Sequence, residues 1–345
     1  MHRRLHLLWT ESLAVRPAPG AHRVGLRAGL SVAVPLLAVL ALGHPAWSAY
    51  AAFGAFASLY GRTTTALARL VMQLEAGLAL VLVVVAGAAV SALPGRPWYA
   101  VAGVTLVAGL GALLSAARGW HPPGPLFLVF AFGAVASVPR PASQVPVALA
   151  VCAASAASAV LVGTTAPWTP RARPLPWRPV PLSPAVPYAG AALASGLLVT
   201  AWGVGHPYWA TVAAVAPLTG PTVTARLVRG LHRVLGTLAG LVLAAALLAP
   251  GLGPYATVAV VGVLQVVTET LVGRHYGLAL LAITPMALLM GQVAAPRPAG
   301  GLLWDRGVET VVGALVALLV ILVEWRYARR RAGAGAGRTL PLGVS

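Results

Sequence analysis

Few residues in this chain could do chemistry. His44 and His206 each stand in a Gly-His-Pro-x-Trp corner, in "GHPAWSAYAAFGAF" and "GHPYWATVAAVAPL". Histidine titrates near neutral pH, so the pair could act as a proton-sensing gate. The plainer role is to cap a wet helix end, with Trp47 and Trp209 sitting in an aromatic belt at the membrane surface. The acidic residues are Glu11, Glu75, Glu269, Asp305, Glu309 and Glu324, and of these only Glu75 and Glu269 lie clearly inside apolar segments. A carboxyl in hydrocarbon is a candidate proton carrier, although a nearby arginine favours a structural ion pair instead. Arg69 and Arg274 are the nearest arginines in sequence to Glu75 and Glu269. Arg226, Arg229 and Arg233 recur at helical spacing and share one face, and Arg62 and Arg69 repeat part of that spacing in the first half. Such rows either anchor topology or form a basic mouth that gathers organic anions.

Catalytic, metal and cofactor chemistry is not written here. The eight histidines are scattered, and none shares a helix face with a second histidine and a carboxylate in metal-ligand spacing. "AGAGAG" near the C-terminus lacks the Lys and Ser/Thr of a phosphate loop, and no nucleophile elbow is present. Cys152 is the only cysteine, which excludes a disulfide framework. We expect no enzyme activity, no cofactor and no metal. The net charge of +18 falls in loops beside apolar segments, where anionic lipid headgroups rather than nucleic acid are the expected partners.

The elements that must position these residues are transmembrane helices. The chain has 345 residues, 59% of them hydrophobic and 9% charged, and such a composition cannot cover a soluble surface. Cutting at Pro, Gly and Arg clusters gives apolar segments at 24–42, 46–60, 70–93, 98–117, 126–138 and 145–162, then at 185–204, 208–219, 234–248, 255–272, 278–290 and 308–325. The first follows an arginine-bearing stretch without a convincing cleavage site and reads as a retained span.

The expected fold is an all-α integral membrane protein with about 12 transmembrane helices, arranged as two parallel six-helix repeats in a pseudo-dimer. Its parts are a first repeat (1–163), a Pro/Arg-rich linker (164–184), a second repeat (185–327) and a disordered basic tail (328–345). All but four of the 24 arginines and lysines, every one an arginine, fall on the side of the termini and linker; Arg96, Arg140, Arg297 and Arg306 are the exceptions. By the positive-inside rule the termini and linker are expected to be cytoplasmic, and the expected membrane is the cell membrane.

The second and fifth segments of each copy are short or interrupted: 208–219 contains Pro217, 278–290 contains Pro285, and 126–138 follows "HPPGP". Matching broken segments point to a transport path, since irregular backbone at membrane depth must line a cavity or pack against protein. Kinked spans packed by their neighbours are the alternative. "GTLAG" from Gly236 provides small residues four apart for close helix contact.

The stretch "GHPYWATVAAVAPLTGPTVTARLVRGLHRVLGTLAGLVLA" resembles the FUSC family of fusaric acid resistance proteins and aromatic acid exporters, and "HPAWSAY" with "RLVMQLEAG" is a weaker instance. The resemblance implies proton-driven efflux of weak organic acids, typically aromatic carboxylates. Larger members carry a soluble domain where this chain has its linker, and related plant proteins of similar membrane design are anion channels. A passive channel and a non-transporting envelope protein therefore stand beside export.

Overall fold

The computed structural model describes residues 9–62, 64–165 and 177–336, and every regular element in them is helical. The first half holds α1 (Ala21–Ala41), α2 (Ser48–Ala55), α3 (Ala66–Ser91), α4 (Arg96–Arg118), α5 (Leu126–Ser137) and α6 (Gln144–Thr164). Two 3-10 turns, Pro45–Trp47 and Phe56–Leu59, flank α2. The second half holds α7 (Ala185–Ala201), α8 (Pro207–Leu218), α9 (Val223–Leu248), α10 (Pro254–Leu271), α11 (Tyr276–Ala294) and α12 (Ala299–Ala336). Most of the linker lies outside the described residues, as do 337–345 of the tail; residues 328–336, expected to be disordered, continue α12.

Local sequence sets these boundaries. Pro207 opens α8 and Pro254 opens α10, each at the first helical position, where a missing N–H costs nothing. The Thr222 hydroxyl accepts from the Ala225 N–H (3.1 Å) and caps α9. Gly119, at φ 58°, closes α4 in the left-handed region that a side chain would strain.

Among the described residues, eight helices are long and apolar enough to cross a membrane: α1, α3, α4, α6, α9, α10, α11 and α12. The expected count of about twelve spans is not met on length and composition. The α2 region, α5, α7 and α8 are shorter, with 12 residues in α5 and in α8 and 17 in α7; at 1.5 Å per residue a helix needs about 20 to cross. Pro285 does not interrupt its segment, because α11 runs unbroken through it for 19 residues.

Packing joins the two halves along two long seams and at a shorter α5–α8 contact. Within the halves α3 packs on α5 and α6, and α9 packs on α11 and α12; between them α1 lies along α10, and α4 along α7. The α1–α10 seam is closed by Val32, Leu36, Val258 and Val261, and the α4–α7 seam by Val104, Ala108 and Ala192. The short helices α2, α5 and α8 sit inside, with almost every residue of α8 buried. Leucines such as Leu74, Leu78, Leu106, Leu110 and Leu319 face outward, as a lipid-facing surface requires. Gly236 and Gly240 bring α9 against α11: a β-carbon on Gly240 would fall 2.7 Å from the Leu280 carbonyl oxygen. The small-residue spacing therefore does make a close helix contact.

Candidate functional site

Between the halves lies a cavity of ≈ 260 Å³. Its charged lining is Arg62, Arg229, Arg233, Arg306 and Glu269. Phe56, Phe127, Phe130 and Tyr276 supply aromatic surface, and Gln265 and Thr268 supply polar groups. The His121–Gly124 turn that precedes α5 also lines it.

Each arginine is placed by its own element. Arg229 and Arg233 come from one face of α9; the Arg229 guanidinium lies 4.7 Å from the Tyr276 ring centroid, and Arg233 Nη1 donates to the Tyr276 hydroxyl at 3.3 Å. Arg62 follows the α2 region and pairs with Glu269 of α10, which makes an ion pair between the halves. Gln265 Nε2 also donates to Glu269 at 3.4 Å. Arg306 stands on the second turn of α12 over the Trp209 ring, 4.7 Å from its centroid. Arg233 and Arg306 are 3% and 2% exposed, yet Arg233 Nε and Nη2 and Arg306 Nε have no hydrogen-bond partner among the described residues. Such orphaned donors cost about 1–3 kcal/mol each unless something pairs with them. Against four guanidiniums the lining offers one carboxylate, already engaged by Arg62, so the free capacity of the cavity is for anions.

The second Gly-His-Pro-x-Trp corner backs this cavity. His206 N–H donates to Glu309 Oε1 at 2.7 Å, and Glu309 is fully buried with Oε2 unpaired among the described residues. Arg297 Nη1 lies 2.9 Å from His206 Nε2. A guanidinium can only donate, so Nε2 accepts, and Nδ1–H is left to donate to Asp305 Oδ2 at 3.2 Å. Burial lowers the His206 pKa from its ordinary value and the Arg297 charge adds to this, while the hydrogen bond to Asp305 opposes it. The ring stacks on Trp209 (4.9 Å, 18°), which in turn carries Arg306.

The expected site residues thus divide. Arg62, Arg229, Arg233 and Glu269 meet in the cavity, and Trp209 supports it from behind. Arg226 turns away to Glu324 on α12 (2.8 Å). Arg69 is buried against backbone, with Nε donating to Gly163 O at 3.2 Å, so it does not share the setting of Arg233. Pro217 lines a lateral apolar groove with Arg226 and Leu231. His44 is exposed and its ring only stacks on Trp47 (3.8 Å), so the two histidines occupy unlike settings. The carboxylates choose other partners than their neighbours in sequence: Glu75 is held by Arg118 and Trp120 rather than Arg69, and Glu269 by Arg62 rather than Arg274. Arg306 was hidden in sequence because "PRPAGG" makes the stretch before 308 read as a loop; the helix begins at Ala299 and carries it inward, with Glu309 at the edge of the expected segment 308–325.

Residues 193–320 match the family described as fusaric acid resistance protein-like. The resemblance read from the second Gly-His-Pro-x-Trp stretch holds over that region. The chain is also 30% identical over 151 residues to the uncharacterized membrane protein YvaC of Bacillus subtilis (strain 168), an alignment that covers 44% of this chain and 24% of that protein. The chain therefore spans about a quarter of its curated relative's length. No solved structure matches it. With eight candidate spans and a membrane-protein relative, the chain is a multi-pass integral membrane protein.

Proposed function

We propose that the chain moves small organic anions, aromatic carboxylates first among them, out across the cell membrane through the arginine-lined cavity between its halves. One observation carries the reading. Buried guanidinium nitrogens of Arg233 and Arg306 lack partners among the described residues, beside phenylalanine rings and in a cavity with a surplus of positive charge. A carboxylate satisfies two such donors at once with charge-assisted bonds, and an aryl ring matches the Phe56, Phe127 and Phe130 faces. The family description, which names fusaric acid resistance, agrees with such a cargo. We read this as transport and not catalysis, with no cofactor and no nucleic acid partner, and we take the proton gradient as the driving force.

We further infer two parallel six-helix repeats. The pairings α1–α10 and α4–α7 are what a two-fold axis would generate from one contact, and α3–α5 matches α9–α11 in the same way. The bias of the loop arginines supports cytoplasmic termini and linker. A Pro141→Cys protein should then react with an impermeant thiol reagent from the outer face only, and reaction from the cytoplasmic face would overturn that orientation.

Reconstituted vesicles loaded with benzoate test the function. Benzoate efflux several-fold above protein-free vesicles is expected, faster with an opposing proton gradient. Current carried without any pH gradient would favour a passive channel, and no flux across a panel of aromatic acids would end the proposal.

A further inference from the structure

A second cavity, of ≈ 290 Å³, adjoins the first along the short helices α5 and α8. The two helices share out their residues between the chambers. On α5, Leu126, Phe127 and Phe130 face the arginine cavity, while Gly133, Ala136 and Ser137 face the second. On α8 the order is reversed: Pro207, Tyr208 and Thr211 face the second cavity and Val212 faces the first. The chambers therefore lie in line along the same helix pair, with one aromatic contact between them.

That contact is the Phe130–Tyr208 stack, with centroids 6.1 Å apart and an interplanar angle of 18°. Phe130 is propped edge-on by Phe53 at 5.1 Å, and Tyr208 by Trp209 at 5.4 Å, so rings from both halves complete the layer. Gly133 lets the helices meet there, because a β-carbon on it would fall 2.5 Å from that of Tyr208.

The chambers differ in chemistry. Among the described residues the second has one guanidinium, Arg96, and several hydroxyls, including Thr200 Oγ1, which is buried without a partner there. Four guanidiniums against one make the first cavity the tighter anion site and the second the weaker.

We propose that the second cavity is the release compartment of the transport path, taking the same small organic anions, and that Phe130 and Tyr208 form the gate between the two. This rests on the export reading for the cargo, while the gate itself follows from the geometry of the two chambers. A closed aromatic layer keeps the tight site from equilibrating with the far side, and the poorer charge of the second chamber favours release once the rings part.

Single-cysteine labelling tests the gate without any transported solute. Cys152, the only native cysteine, is fully buried and is replaced by alanine. Ala287→Cys then reports on the first cavity and Thr200→Cys on the second. With the rings intact, an impermeant methanethiosulfonate should modify Ala287→Cys from the cytoplasmic face only and Thr200→Cys from the opposite face only. Adding Phe130→Ala or Tyr208→Ala should open each cysteine to the other face, with at least a ten-fold gain in rate there. Labelling of both cysteines from one face, of either from neither face, or of Thr200→Cys only by a lipid-soluble reagent would overturn the proposal. These outcomes stand even if the alanine variants do not fold, because the first comparison keeps both rings. Benzoate flux measured in parallel decides the cargo separately: one-sided labelling with no flux keeps the gate and removes the export reading.

Discussion

Arg233 and Arg306 reach the cavity from α9 and α12 with guanidinium nitrogens that nothing in the described chain satisfies. If those nitrogens grip a carboxylate, lysine at either position keeps the charge but loses the planar two-pronged contact. The loss of one charge-assisted bond, about 1.5–3 kcal/mol, corresponds to roughly a ten- to hundred-fold rise in the half-saturating benzoate concentration. Arg226→Lys serves as the control: Arg226 bonds Glu324 and the Gly220 carbonyl outside the cavity, so flux should be unchanged. Equal flux from Arg233→Lys and the parent, at equal abundance, would reduce Arg233 to a topology marker. His206 makes a separate prediction. Its neutral ring accepts from Arg297 and donates to Asp305, and its pKa in the fold is lowered. The unfolded chain then takes up the proton first, so this contribution to stability is complete above about pH 6.5 and falls away as acid is added below it. The melting temperature in detergent should drop between pH 7.5 and 5.5 more for the parent than for His206→Gln; equal drops would remove His206 from the account.

At the scale of helices, two short hydrophobic elements and one glycine pair decide where the charges end up. Gly236 and Gly240 let α9 press on α11, which turns Arg229 and Arg233 into the cavity beside Tyr276. A methyl at Gly240 meets the Leu280 carbonyl oxygen at 2.7 Å and the Thr284 β-carbon at 2.8 Å, so the helices must separate. Gly240→Ala should cost about 1–3 kcal/mol, as overpacking does. Gly190→Ala on α7, where the added carbon meets nothing within 4 Å, should leave stability unchanged or raise it by about 0.5–1 kcal/mol. Thermal unfolding of the two proteins side by side checks the contrast, and a neutral Gly240→Ala would sink the close-packing argument. This glycine spacing was legible in the sequence, as were the Pro-opened corner at His206 and the breaks around α5 and α8. The start of α12 was not. Gly300, Gly301 and Pro298 make 295–301 look like loop, but tertiary contacts with α8 carry the helix back to Ala299, and that adds two turns bearing Asp305 and Arg306. Pro285 misled in the opposite sense, since α11 absorbs it without a break.

For the whole molecule, the cavity exists only where the halves meet, and its walls are joined by one buried ion pair. Arg62 follows α2 in the first half and Glu269 lies near the end of α10 in the second, with side chains 23% and 4% exposed. No reading of local spacing could pair them, because 207 residues separate them along the chain; sequence neighbours suggested Arg274 for Glu269, and the fold brought Arg62 instead. Removing one partner leaves the other charge stranded beside apolar helices. Arg62→Ala should therefore destabilise the protein by about 3 kcal/mol, the lower end for buried pairs because Arg62 keeps some contact with water. Glu269→Gln should cost less, since the amide oxygen still accepts from Arg62 and no buried negative charge remains. A double-mutant cycle over Arg62→Ala and Glu269→Gln should then return a coupling of about 1–3 kcal/mol. Flux has its own signature: Glu269→Gln removes the negative charge that offsets the cavity's guanidiniums, so benzoate should bind more tightly while its release slows. A cycle with no coupling, together with unchanged benzoate affinity in Glu269→Gln, would mean that the two halves are held by the α1–α10 and α4–α7 seams and the α5–α8 contact, without the ion pair.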